Sequence, residues 1–144
     1  MLRESILNRR VPTLLGLALL LFLLPSSSAL AASFFCGETV NGPYCTYTGP
    51  VKMVYVNEND LVLLYWDDSI TQSLVQTQTT TVGLDQGLTQ FQGAGASLAS
   101  EPEFANLLYA TLLTAYVADL EVTIQMRSHL GGYLEIDRIW MLDD

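Results

Sequence analysis

The sequence predicts one small, mainly β domain that contains a single helix. Three patterns predict it: a hairpin-like pattern in the middle of the chain, a helical repeat of apolar residues after it, and strict apolar and polar alternation near the end. Once the N-terminal segment is set aside, the chain is long enough for one core and too short for two.

The N-terminal segment, residues 1–31, is typical of a secretory signal peptide. Three arginines precede an apolar run over residues 11–24, and small residues at Ala29 and Ala31 suit cleavage before Ala32. The run is short for a bilayer span, so a membrane anchor is the less favoured interpretation. The sequence therefore predicts a periplasmic or secreted protein with no membrane anchor after signal cleavage.

The charge of the remaining chain restricts its partners. Cleavage leaves 113 of the 144 residues, with a formal net charge of −11 when His129 is neutral. Lys52, Arg127 and Arg138 are the cations that remain, too few to follow a phosphate backbone. We therefore expect no nucleic-acid partner and no charge-driven binding to an anionic membrane. The acidity suits solubility or a cationic partner.

Residues 32–50 predict an N-terminal loop closed by a disulfide. The two cysteines, Cys36 and Cys45, flank a Gly-Pro turn, and an oxidising compartment favours their pairing. Such a bridge stabilises by about 2–3 kcal/mol on a chain-entropy treatment. A metal site would need more ligands than two cysteines and one histidine, and a lipid-modified Cys36 would need a small residue where Phe35 stands. We expect no metal and no cofactor.

The middle of the chain predicts strands and a connector. Residues 51–56 and 61–66 predict a hairpin around a run of turn formers. Its second strand is apolar on both faces, so it is either buried on both or partly covered by another subunit. Threonine and glutamine in 71–82 predict a solvent-facing edge strand. The glycines and small residues of 83–100 predict a flexible connector, with Phe91 contacting the core.

A helix is predicted to begin at the capping box Ser100-Glu101-Pro102-Glu103. Two apolar stripes at helical spacing follow, so the helix needs two packing partners. The first stripe comprises Phe104, Leu107, Leu108, Leu112 and Ala115. The second comprises Tyr109, Leu113 and Tyr116.

The end of the chain predicts two strands. Apolar and polar residues alternate over 120–127, which indicates a strand with one core face. After a Gly-Gly loop, residues 133–142 return as the last strand. Its apolar phase changes near Asp137 and Arg138, which predicts a β-bulge that bends the strand toward barrel closure.

Five strands with one helix inserted between strands 3 and 4 is the element order of the OB-fold barrel. The sequence therefore predicts a single OB-like, five-stranded β-barrel domain over residues 51–144, with a flexible connector at 83–100.

Three stretches also resemble a known group of proteins. Residues 109–116 (YATLLTAY), 120–124 (LEVTI) and 136–140 (IDRIW) resemble the C-terminal half of small exported bacterial proteins similar to the cell-binding B components of AB-type toxins. The resemblance covers about a third of the chain, mainly core positions. It implies an exported OB-like domain, with oligomer assembly and carbohydrate binding as candidate functions. The chain departs from the family at 117–119, and no residue matches a family sugar pocket.

Aromatic and acidic residues near the disulfide loop and the hairpin are the ligand-binding candidates, because aromatic rings and carboxylates suit sugars and carboxylates suit calcium. They are Tyr44, Tyr47, Tyr65, Trp66, Asp67 and Asp68. The simpler alternatives are core packing for the two aromatic residues of the hairpin and a turn for the two aspartates.

No sequence motif predicts catalysis. Glu135, Asp137 and Glu121 are candidates for a hydrolase, since glycosidases use carboxylate pairs about 5–10 Å apart. A solvated strand face with an arginine counter-ion is the simpler interpretation. His129 is predicted to be an exposed loop residue, because no nucleophile is tied to it by a motif.

These observations predict a non-enzymatic, exported binding or assembly module. Its expected partners are a glycan, another exported protein, or further copies of itself that assemble through the helix and the two-sided second strand. The alternative is a small acidic periplasmic inhibitor of a cationic enzyme such as a lysozyme, which would bind in a salt-sensitive way.

Overall fold

A computed structural model describes residues 31–141. The predicted signal peptide, apart from Ala31, lies outside these residues. In chain order the elements are β1 (Ser33–Thr39), β2 (Gly42–Pro50), β3 (Met53–Val56), β4 (Leu61–Tyr65), α1 (Gln72–Thr81), β5 (Gly93–Ser97), α2 (Pro102–Ala118), β6 (Glu121–Leu130) and β7 (Tyr133–Met141).

The seven strands form one open sheet in the order β1-β2-β6-β7-β5-β4-β3. All neighbours are antiparallel except β5 and β7, which run parallel. Apolar residues from one face of the sheet form a single core with residues of both helices. The mainly β prediction is confirmed, whereas the five-stranded OB-like barrel with one helix is not: the sheet has seven strands, two helices cover one face, and β1 and β3 are unjoined edges.

The N-terminal segment is a β-hairpin rather than a loop. β1 and β2 pair from Ser33 with Thr48 to Thr39 with Gly42. Cys36 and Cys45 face each other across the two strands and form the predicted disulfide, with 4.0 Å between their Cα atoms. The bridge thus joins the outermost strand to its neighbour.

The predicted edge strand over 71–82 is wrong, because this segment forms α1. Thr71 caps the helix by accepting a hydrogen bond from the Leu74 N–H at 3.3 Å. Val75 and Thr79, one turn apart, are buried against the sheet. The Thr79 hydroxyl donates to the Val75 carbonyl at 2.9 Å, which satisfies it inside the core. Tertiary burial therefore overrides the strand preference of threonine.

The prediction of a flexible connector over 83–100 is also wrong for its second half. β5 lies inside the sheet between β4 and β7, with all five of its residues buried. Its glycines are required by close packing: a Cβ on Gly93 would lie 2.3 Å from the Leu64 carbonyl oxygen, and one on Gly95 would lie 2.6 Å from Leu63 Cδ2. Phe91 packs against the core, as predicted.

The predicted helix is confirmed as α2, but its capping box is not. Glu101 is the N-cap residue and makes no side-chain cap, while Pro102 occupies the first turn. Only one apolar stripe is buried, comprising Ala105, Leu108, Leu112 and Ala115. Leu107, Leu113 and Tyr116 are exposed.

β6 and β7 form the predicted C-terminal hairpin, and the bulge is confirmed. Gln125 pairs with Arg138 while Met126 pairs with Ile136, so Asp137 is the extra residue. A second irregularity follows between Met126 and Ser128. The sheet nevertheless stays open.

β4 is apolar on both faces because both of its faces are buried within a single chain. Val62 and Leu64 belong to the core on the helix side. Leu63 is fully buried on the other face, where it lies against Gly95. Cover by another subunit is therefore not needed for this strand.

Candidate functional site

A cleft of about 150 Å³ lies between the end of β4 and the start of α1. Four of the six predicted ligand-binding residues line it: Tyr65, Trp66, Asp67 and Asp68. These four are contiguous in the chain, because the strand runs directly into the turn that precedes the helix. The structure therefore brings most of the predicted site together.

Residues from three other segments complete the cleft. Thr71 and Gln72 come from the start of α1, and Lys52 lies just before β3. Gln92 precedes β5, and its backbone carbonyl accepts a hydrogen bond from the backbone N–H of Trp66 at 3.3 Å. The sequence gives no local signal for these residues, since strand pairing and the unpredicted α1 place them beside the four predicted ones.

The two aspartates of the cleft are both engaged as carboxylates. Hydrogen bonds from the side chain and backbone N–H of Ser69 hold the pKa of the Asp67 carboxyl below its ordinary value. Asp68 forms an ion pair with Lys52. Both partners of that pair are largely exposed, so it orients them and adds little stability. The cleft thus presents the Asp67 carboxylate as a hydrogen-bond acceptor that stays ionised near neutral pH.

Trp66 forms the inner wall of the cleft and is almost fully buried. Its ring packs against Phe34 and Tyr47, with centroid separations of 5.4 and 5.8 Å. The indole N–H has no hydrogen-bond partner among residues 31–141. The core-packing interpretation of Trp66 is therefore correct, and the residue also faces the site.

Tyr47 supports the cleft from behind rather than lining it. Its side chain is fully buried, and its hydroxyl donates to the Pro50 carbonyl at 2.5 Å and accepts from the Asp67 N–H at 3.2 Å. Burial raises the pKa of Tyr47 to about 12. Tyr44 does not line the cleft; the Arg127 guanidinium lies 5.8 Å from its ring centre.

A row of three tyrosines crosses the sheet face opposite the helices and was not predicted. The Tyr65 hydroxyl lies 3.5 Å from that of Tyr55 and 3.2 Å from that of Tyr133. The hydrogen bond with Tyr65 is the main cause of the raised pKa of Tyr55, and the hydrogen bond with Tyr133 is the main cause of the raised pKa of Tyr65. Tyr65 and Tyr133 meet across β5 because Gly93 has no side chain to fill the space between them. No local pattern signals this row, since it depends on β5 being a strand.

The three carboxylates considered for hydrolysis do not converge. Glu135 accepts a hydrogen bond from the Ser128 hydroxyl, and Asp137 forms ion pairs with both neighbouring arginines. Glu121 lies at the opposite end of β6 from Ser128, about 23 Å away at the usual strand rise. The solvated strand face with arginine counter-ions describes this region.

His129 is a strand residue rather than a loop residue. It lies in β6, paired with Leu134, and a Cβ on Gly87 would lie 2.8 Å from its Nε2. Within residues 31–141 no three His, Cys, Asp or Glu side chains are grouped closely enough to hold a metal ion. The same part of the chain contains no helix that is both long and apolar enough to span a membrane.

Comparisons with protein-family models, with curated proteins and with solved structures find no match to this chain. The resemblance to toxin B components thus stays a prediction from the C-terminal residues. The fold itself defines a two-layer domain, in which an open seven-stranded mixed sheet carries two helices on one face.

Proposed function

We propose that the protein is an exported, non-enzymatic binding module that holds a carbohydrate unit in the cleft between β4 and α1. The observation that carries the proposal is the convergence of carboxylates and amides on an aromatic wall. Asp67 and Asp68 from one turn, Gln72 from the start of α1 and Gln92 from the segment before β5 line the cleft with Tyr65 and Trp66.

The chemistry of the cleft suits a polyhydroxylated ligand. Carboxylate oxygens accept hydrogen bonds from hydroxyl groups, and a side-chain amide both donates and accepts. Aromatic side chains offer apolar surface beside these polar groups. The volume of about 150 Å³ is below the roughly 300–1,000 Å³ of sites for drug-sized ligands. One sugar unit, at a chain end or a branch, is the ligand class that fits.

The protonation state of the site argues against general-acid catalysis by Asp67. The lowered pKa of Asp67 keeps this carboxylate ionised, so it accepts hydrogen bonds and does not act as a general acid at neutral pH. Lys52 forms an ion pair with the other carboxylate, that of Asp68. The Cys36–Cys45 disulfide is compatible with an oxidising, exported location.

A glycan array followed by titration tests this proposal. The full chain carries Trp140→Phe and is purified after expression with its own N-terminal segment, which leaves Trp66 as the single tryptophan reporter. We expect a retained glycan to change Trp66 fluorescence saturably. Gln72→Ala removes one polar wall group and should weaken binding by about tenfold, as the loss of a hydrogen bond to a ligand does.

Gln76→Ala is the matched control, because it changes the same residue type on an exposed part of the same helix outside the cleft. It should leave the affinity unchanged. The proposal fails if no glycan binds, or if Gln72→Ala and Gln76→Ala bind equally well. Salt-sensitive binding to a lysozyme without glycan binding would replace it with the inhibitor interpretation.

A further inference from the structure

We propose that two copies of the chain associate by antiparallel pairing of their β3 strands, with Tyr55 on the two-fold axis. This interface lies at the open edge of the sheet, and its formation does not depend on whether the cleft binds a sugar.

β3 presents unused backbone groups at that edge. It pairs only with β4, and the Asn57 N–H continues this ladder by donating to the Leu61 carbonyl at 3.0 Å. Because antiparallel pairs alternate, the N–H and C=O groups of Val54 and Val56 point away from β4. Within residues 31–141 no backbone group outside β4 hydrogen-bonds to β3. Val54 and Val56 therefore offer outward backbone groups at alternate positions, which is the pattern that a further antiparallel strand hydrogen-bonds to.

The spacing of these groups fixes one symmetric register. When Val54 pairs with the partner's Val56, Val56 pairs with the partner's Val54, and the two Tyr55 residues face each other. The same register brings Lys52, which forms an ion pair with Asp68 in its own chain, toward the turn that carries the partner's Glu58. Each dimer therefore has a lysine near an acidic turn at both ends of the paired strands.

This charge arrangement argues for a second copy as the occupant. The chain is strongly acidic, so most of its surfaces repel one another. At β3 the Lys52–Asp68 ion pair and the acidic turn after the strand lie on opposite sides of Tyr55, so two-fold pairing brings each Lys52 toward the partner's turn. α2, which packs on β3, carries no charged residue between Glu103 and Asp119 and lies on the same face of the joined sheet in both copies. The pairing also covers Met53 and Val56, which are 45% and 44% exposed.

Joining the edges extends the tyrosine row. Tyr55 ends the row of each copy, so the paired strands bring two rows together into a line of six tyrosines over the open face of a fourteen-stranded sheet. The dimer thus joins the half-buried tyrosines of both copies into one row that faces away from the helices.

Cross-linking tests the register directly. Tyr55→Cys introduces the only unpaired cysteine, since Cys36 and Cys45 are bonded to each other. Facing residues in a non-hydrogen-bonded antiparallel pair have Cα atoms about 4.5 Å apart, within disulfide range. We expect the full-length Tyr55→Cys chain to run as a covalent dimer on a non-reducing gel after mild oxidation. Phe35→Cys, on the other edge strand and 57% exposed, is the matched control and should stay monomeric.

Light scattering with a proline variant completes the test. The unmodified protein should have twice the mass of one chain, and Val56→Pro should raise its dimer dissociation constant at least roughly tenfold because each copy loses an N–H donor. Val40→Pro, in the exposed turn between β1 and β2, should leave the dimer intact. A monomer at the highest concentration reached overturns the proposal, as does equal cross-linking at Tyr55 and Phe35. If Val56→Pro fails to fold, the cross-linking result decides.

Discussion

The two edges of the sheet are built in opposite ways. At β1 the outermost strand is joined to its neighbour by the Cys36–Cys45 disulfide, and its Cys36 N–H donates to the Gln78 side chain of α1 at 3.1 Å. At β3 the edge is four residues long, and within residues 31–141 no disulfide joins it to β4. Exposed edges invite pairing with other strands. We call β1 the closed edge because an outward amide of β1 is bonded to α1 and the disulfide ties the strand to β2, and we call β3 the open edge.

The halves that carry these edges meet at a narrow junction. β5 and β7 pair at only two positions, Ala94 with Leu134 and Gly95 with Glu135. Tyr47 adds a second link, because its hydroxyl connects the Pro50 carbonyl to the Asp67 N–H at the cleft. The cleft and the β3 edge therefore depend on this junction, whereas the β1 edge is held by its own disulfide and by the hydrogen bond to α1.

The largest expected effect comes from filling the space between β5 and β4, directly beside the junction. Gly93→Ala places a methyl group against the Leu64 carbonyl, a backbone atom that cannot rotate away, and should cost about 3 kcal/mol of unfolding free energy. Gly37→Ala on β1 meets only the side chains of Phe35 and Tyr44, which can move, and should cost clearly less. Urea denaturation of both variants measures the difference. Equal losses would contradict the contrast between junction and edge.

Removing the disulfide should have the next largest effect. The Cys36→Ser and Cys45→Ser double variant should lose about 2–3 kcal/mol, because the unfolded chain regains the entropy of a short closed loop. The loss should leave β3 pairing unchanged, since the bridge lies at the other edge. Urea denaturation gives the first quantity and light scattering the second; a change in dimer mass would show that the edges are coupled.

Alkaline pH should weaken the Tyr47 link. Burial raises the pKa of Tyr47 from 10.0 to about 12, so between these values the unfolded chain loses this proton while the folded chain keeps it. The stabilisation is complete below pH 10 and is lost as pH rises toward 12, by about 2 kcal/mol. Unfolding free energies measured from pH 9 to 12 should fall more steeply for the unmodified protein than for Tyr47→Phe. Parallel curves would rule out a buried, neutral Tyr47, and Tyr44→Phe serves as the control.

The smallest of these effects should come from uncapping the β1 edge. Gln78→Ala removes the acceptor of the Cys36 N–H and should cost about 1 kcal/mol, the usual net value of one hydrogen bond. Gln76→Ala, on the same helix without that contact, should be neutral. Thermal unfolding followed by circular dichroism compares the two. Indistinguishable melting temperatures would show that the hydrogen bond from Cys36 to Gln78 does not stabilise the β1 edge.

Much of the fold was predictable where local pattern decides structure. The β3–β4 and β6–β7 hairpins, α2 and the bulge at Asp137 follow from alternation, helical spacing and turn residues. α1 and β5 were not predictable, because the local sequence of each does not favour the observed conformation and long-range contacts decide it. Buried Thr79 needs the sheet beneath it, and the glycines of β5 are explained only by contacts with β4.

The candidate site, like the fold, has a part that the local sequence predicts and a part that it does not. The contiguous run from Tyr65 to Asp68 was predicted as one group, since strand end and turn are adjacent in sequence. Lys52, Gln72 and Gln92 join it through long-range pairing and through a helix predicted as a strand. Tyr44 lies away from the cleft, because nearness to the disulfide along the chain does not place a residue beside it.

Amide hydrogen exchange tests the difference between the two edges most directly. The Cys36 amide should exchange slowly at every protein concentration, since Gln78 accepts its hydrogen bond within one chain. The Val56 amide should exchange rapidly in dilute solution and become protected as the concentration rises and β3 strands pair. Protection of Val56 that does not change with concentration, or rapid exchange at Cys36, would contradict the assignment of one closed and one open edge.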